Sequence, residues 1–180
     1  MEIEETKNKK SEGFSDKLAS FILNLSLSKN RSLIYLGVIA LVGFILRLIA
    51  ALNMGVLADD MLYASQSAGI LSAKILSTHS NPPLFFYLTD LAYKLFGYTT
   101  FASRFWPLIF GTLLIPLSYL ITKKFFNEKI SFLAALFVTF STFLIKLTYT
   151  EQSLVVLFFS MFGIYLGLEF IDKQKVSLLY

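Results

Sequence analysis

Apolar and polar positions alternate along this chain on a scale much longer than a soluble core helix. Four apolar runs approach or reach the length of about 20 residues that crosses a bilayer as a helix. They cover about 32–53, 101–121, 130–147 and 152–171. In lipid the backbone must satisfy its own hydrogen bonds, so each run is predicted to be an α-helix. Pro107 and Pro116 fall within the second run, where a kink is expected. A fifth apolar segment, 84–96, follows Pro82-Pro83 and stops at Gly97, which are start and stop signals for a helix. At 13 residues it would be about 20 Å long, too short to cross. Tyr87, Asp90 and Lys94 recur at three- and four-residue spacing, so a polar stripe with an Asp90–Lys94 pair is predicted on an otherwise apolar helix. That pattern suits a helix lying in the membrane interface.

The positions of the charges choose between topologies. If 84–96 does not cross and the N-terminus is cytosolic, the inner face holds Lys7, Lys9, Lys10, Lys17, Lys29, Arg31, Lys123, Lys124, Lys129, Lys173 and Lys175. The outer loop, 54–100, keeps only Lys74 and Lys94. This is the positive-inside arrangement, and a crossing at 84–96 would reverse everything after it. The expected fold is therefore an all-α integral membrane protein. It has about four transmembrane helices and an outer loop carrying an interfacial amphipathic helix. Residues 1–31 form a cytosolic tail that turns amphipathic over Phe14–Leu27. Residues 32–171 form the membrane module, and 172–180 a cytosolic end.

Composition agrees with that reading. Hydrophobic residues make up 56% of the 180 positions and charged residues 16%, against about 25% charged in a soluble domain. A domain of this size cannot bury so much apolar surface in one core. A soluble globule is excluded, and with no cysteine so is a disulfide-stapled secreted domain. The net charge of +4 is explained by the inner-face lysines and needs no nucleic-acid partner.

The topology gathers a polar set on the outer side: Asp59, Asp60, Tyr63, His79 and Glu151. Two adjacent carboxylates are a workable acid/base element, and one at the membrane boundary can deprotonate an acceptor hydroxyl or amine. Structural readings stand beside this. Asp59 can N-cap a helix starting at Asp60, Glu151 can cap the fourth span, and His79 can be an ordinary loop residue. Arg47, Arg104 and Lys146 lie at a similar outer depth. They can snorkel to headgroups or, in the case of the arginines, bind a lipid phosphate in bidentate fashion.

Asp59-Asp60-x-x-Tyr63 resembles the acidic-pair element that follows the first span in the GT-C superfamily of membrane glycosyltransferases. The stretch from His79 through Asn81-Pro82-Pro83-Leu84 to Tyr87 is similar to that superfamily's Pro-Pro-Leu-x-Tyr element. Leu95-Phe96-Gly97 and Ala102-Ser103-Arg104 resemble the steps leading into its second span. The order and spacing together resemble the branch of dolichyl-phosphate-mannose-protein mannosyltransferases and aminoarabinose transferases.

The resemblance implies a membrane glycosyltransferase that uses a polyprenyl-phosphate sugar on the outer or lumenal face, with a protein, lipid or glycan acceptor. It implies Asp59 as general base, with Asp60 and Glu151 tuning or positioning. Tyr63, His79, Arg47 and Arg104 are candidates for substrate binding. Members divide into metal-dependent and metal-independent enzymes, and His79 with Asp59, Asp60 or Glu151 is a candidate divalent-ion set for Mg²⁺ or Mn²⁺. This chain departs from some relatives in having Asn81 where they place a lysine before Pro-Pro. Such enzymes have many more than four spans, so the chain is expected to be an N-terminal module of a larger enzyme, a truncated reading frame, or a small relative that works with a further membrane subunit. The rival class is a non-catalytic membrane subunit or transporter fragment. Plasma membrane and endoplasmic reticulum both fit the sequence.

Overall fold

The computed structural model describes residues 31–55, 58–68, 83–150 and 152–177. The expected tail with its amphipathic stretch lies outside these residues, as do His79, Asn81, Pro82 and Glu151. The described residues form seven helices in chain order: α1 (Arg31–Asn53), α2 (Ala58–Ser67), α3 (Pro83–Phe96), α4 (Thr100–Lys123), α5 (Glu128–Phe140), α6 (Thr142–Thr150) and α7 (Ser153–Ser177). No strand occurs among them. The chain divides into two units, 1–38 and 39–180. The described part of the first is the start of α1, and everything below concerns the second.

α1, α4 and α7 are each long and apolar enough to cross a membrane, and α5 with α6 makes a fourth candidate span bent by 52°. The protein is an all-α integral membrane protein. α4 lies against α3, α5, α6 and α7, and it passes unbroken through Pro107 and Pro116. The break falls instead at Ser141, whose backbone is extended (φ −62°, ψ 106°). There the Ser141 hydroxyl accepts from Leu144 N at 3.4 Å and so caps α6. A Ser-Thr pair offers the backbone such an alternative to continuing the helix.

Arg47 of α1 completes the break. It is fully buried, and its guanidinium donates to Gly43 O at 3.1 Å and to Val138 O at 2.8 Å. Val138 lies in the last turn of α5, where carbonyls lose their helical partners and the helix dipole is negative. Its Nε N–H has no hydrogen-bond partner among the described residues.

Glycine makes room for this side chain. A Cβ at Gly111 would meet Leu154 Cδ1 at 2.9 Å and Arg47 Nε at 3.2 Å. One at Gly43 would run into Ile115 and meet Arg47 Nη1 at 3.0 Å. In lipid, helix association depends on such close packing, since the bilayer is as apolar as the side chains. Gly43→Leu is therefore expected to destabilise the bundle by roughly 1–3 kcal/mol, the scale of overpacking. A lower thermal midpoint of the detergent-solubilised protein would register it, and an unchanged midpoint would contradict this packing.

At the opposite end, Lys124 joins α4 to α7 by ion pairs to Glu169 at 2.7 Å and Asp172 at 3.0 Å. Hydrogen bonds to Glu169 and then Asp172 push the Lys124 amine above its ordinary value. Any stabilisation from this raised value is complete below the ordinary lysine value and is lost only as pH rises beyond it. Acting through Lys124, this clasp should hold through neutral and mildly alkaline pH. Being exposed, it should weaken with salt. On α7, Gly163 and Gly167 form a Gly-x-x-x-Gly step with open space beside both.

Candidate functional site

The site is built on the joint between α1 and α2. α1 ends at Asn53, and the carbonyls of its last turn need partners. Arg104, one turn into α4 and 2% exposed, supplies them. Its Nη1 donates to Ala51 O and Met54 O, and its Nη2 to Gly55 O, each at 2.8 Å. A planar fork with several fixed donors can hold three carbonyls at once, and its charge sits at the negative end of the α1 dipole. α4 presents this arginine rigidly because its first turn is capped: the Thr99 hydroxyl accepts from Ala102 N at 3.2 Å.

The clamped residues lead to α2. This helix begins at Ala58, so Asp59 and Asp60 both fall in its first turn, with Tyr63 one turn further on. Asp59 thus lies inside the helix, two residues past the N-cap position, and is not the cap of a helix starting at Asp60. Carboxylates are favoured in a first turn by the exposed N–H groups there. α2 packs against α3, α4 and α6. Since α6 ends at Thr150, the helix that leads into Glu151 lies beside the helix that carries the aspartates.

α3 forms the next wall. Proline at its first position starts it, and Gly97 in the left-handed region (φ 75°) ends it. The expected Asp90–Lys94 pair is present at 3.8 Å, but the stripe faces the other way from a helix lying on water. Asp90 and Thr89 are fully buried against the protein, while Leu84, Leu91 and Leu95 are exposed. In an aqueous setting this would be inverted. At a membrane boundary it puts leucines toward lipid and the carboxylate inside.

Between α2 and the α3–α4 turn lies a cleft of about 200 Å³. Met61 and Ala64 of α2 form one side, and Tyr93, Tyr98, Thr99 and Ser103 the other. Sequence reasoning missed Asp90 as a buried carboxylate and both tyrosines as a wall. The available signal was the clustering of Tyr98, Thr99 and Thr100 directly after Gly97.

The two arginines do different work. Arg104 stands at the joint beside α2, whereas the hydrogen bonds of Arg47 go to Gly43 and Val138. Neither snorkels, since both are buried in protein; Lys146 is exposed. Among the described residues no three His, Cys, Asp or Glu side chains converge on a point where an ion could sit.

A family profile described as dolichyl-phosphate-mannose-protein mannosyltransferase matches residues 80–180, more than half of the chain. The chain belongs to this family. At family level it is a membrane glycosyltransferase of the mannosyltransferase-like kind. No curated protein and no solved structure matches it. The region shared with the family takes in α3 to α7, and with them Arg104 and Glu151. Arg47, Asp59, Asp60, Tyr63 and His79 precede it.

Proposed function

We propose that this chain is the N-terminal membrane module of a glycosyltransferase. It moves a sugar from a polyprenyl-phosphate donor to an acceptor on the outer or lumenal face. The Asp59 carboxylate takes the proton from an acceptor hydroxyl or amine, and the freed electron pair attacks the anomeric carbon. The bond from that carbon to the phosphate oxygen breaks, and the polyprenyl phosphate leaves with the electron pair. Asp60 and Glu151 position the acceptor, and Tyr63 and His79 contribute binding. Arg104 and Arg47 act as positioning residues, through the backbone carbonyls they hold. A divalent cation, where the enzyme uses one, would draw its ligands from Asp59, Asp60, His79 and Glu151.

One observation carries this reading: Arg104 holds the Ala51, Met54 and Gly55 carbonyls where the chain leaves α1 toward the helix bearing two adjacent aspartates. Fixing a base relative to a lipid-anchored donor lowers the entropic cost of the encounter. The lysines of the tail and of the 123–129 turn orient the N-terminus toward the cytosol. The lipid-linked donor and the membrane lipids are its partners, together with a protein or glycan acceptor.

The test is a transfer assay. The intact protein in vesicles is given polyprenyl-phosphate sugars and a panel of protein and glycan acceptors. Release of polyprenyl phosphate coupled to acceptor labelling is the expected result. A protein that inserts correctly yet transfers none of them, while a partner subunit requires it for activity, would assign it to the non-catalytic class instead.

A further inference from the structure

The α2–α3–α4 cleft has features that the packing of the bundle does not call for. Tyr98 is 72% exposed, yet it is held in place on three sides. Gly97, in the left-handed region, fixes the chain before it. Thr99, the N-cap of α4, fixes the chain after it, and Thr99 N bonds back to Gly97 O at 2.9 Å. Its ring lies against Tyr93, which is 4% exposed, with centroids 5.0 Å apart and planes inclined at 37°. An exposed ring on a capped, hydrogen-bonded turn is a preorganised apolar plate. Hydroxyl side chains stand beside it at Thr99 and Ser103, and the opposite side is the helix that carries Asp59 and Asp60.

We propose that this cleft binds one sugar ring, with Tyr98 as its stacking platform. A pyranose presents an apolar face of C–H bonds and a rim of hydroxyls, which matches a tyrosine plate bordered by threonine and serine. The volume sets the size of the guest. Drug-sized ligands fill roughly 300–1,000 Å³, so about 200 Å³ takes a single ring and excludes a lipid tail. The ring has two sources: the sugar of the donor, or a sugar of a glycan acceptor. The assignment rests on the glycosyltransferase reading above and adds to it the place where carbohydrate is held.

The experiment measures KM for donor and acceptor separately in the intact protein, with Tyr98→Ala, Tyr98→Trp and Met61→Trp. Met61 is exposed at the cleft wall, so tryptophan there narrows the cleft and leaves the core intact. Tyr98→Ala should raise the KM of one substrate by roughly three- to tenfold, the scale of one aromatic contact. Tyr98→Trp should restore it, and Met61→Trp should raise the same KM. Which KM moves identifies the source of the ring. Both KM values unchanged in Tyr98→Ala, with only yield or thermal midpoint lowered, would make Tyr98 a membrane-interface anchor and overturn the proposal. That failure is separable from failure of the enzyme reading, in which wild-type protein would transfer nothing.

Discussion

Asp59→Asn is expected to lower sugar transfer by roughly 10²–10⁴-fold, the contribution of a general base, with expression and membrane insertion unchanged. The substitution keeps the size of the side chain and costs the start of the helix only the favourable interaction of a negative charge with the first-turn N–H groups, about 0.3–1 kcal/mol. What it removes is the capacity to take a proton. Asp60→Asn should cost less, since a positioning carboxylate loses orientation and keeps the base. The measurement is initial rate at saturating donor and acceptor, with protein quantity set by immunoblot. Equal losses in the two variants would make the pair a shared unit without a single base. Normal transfer in Asp59→Asn would remove the base assignment while leaving the family membership untouched.

Arg104→Ala is expected to have the largest effect on the fold near the site. It removes three bonds from a charged donor to Ala51, Met54 and Gly55. At about 1.5–3 kcal/mol per bond to a charged group, less what water at the membrane boundary recovers, the loss should be roughly 2–5 kcal/mol. Arg104→Lys should recover little of it. A lysine ammonium is a compact point charge on a flexible stem and lacks the planar fork that spans three carbonyls. The signature is a lower thermal midpoint in detergent, new protease sensitivity between α1 and α2, and loss of transfer in both variants. Full activity in Arg104→Lys would show that charge, not the fork, is what the joint requires.

The long apolar spans were legible because their signal is local. A window of residues on α1, α4 or α7 already contains what a bilayer demands of it. The bounds of α3 were legible for the same reason, as proline and glycine mark its ends. The break in the third span was not. Residues 130–147 read as one apolar run, and the bend at Ser141 is completed by an arginine reaching Val138 O across 91 positions of chain. No window holds both partners. The prolines of α4 lie within one continuous helix, Thr100–Lys123, so they do not end it.

The site was legible in part. The two aspartates and Tyr63 attracted notice by type and order, and the structure gives them a helix beside α3, α4 and α6. The roles of the arginines could not be read from depth alone. Both sit where a phosphate ligand or a headgroup would be a reasonable partner, and both bond backbone carbonyls. Asp90 shows why periodicity is insufficient. It places a carboxylate on a stripe, but whether that stripe faces water or protein depends on what packs against it, here α2 and α4. The Tyr93–Tyr98 wall depends likewise on a turn geometry that the residue types only permit.

The reading stands or falls on which side of the membrane the carboxylates occupy. This chain has no cysteine, so single cysteines can be introduced at positions 59, 124 and 151 without a background signal from it. Intact cells or sealed vesicles would be treated with a membrane-impermeant thiol reagent. Labelling of 59 and 151 from the same side, with 124 reached only from the other, is the predicted pattern. Labelling of 59 and 151 from opposite sides would contradict it.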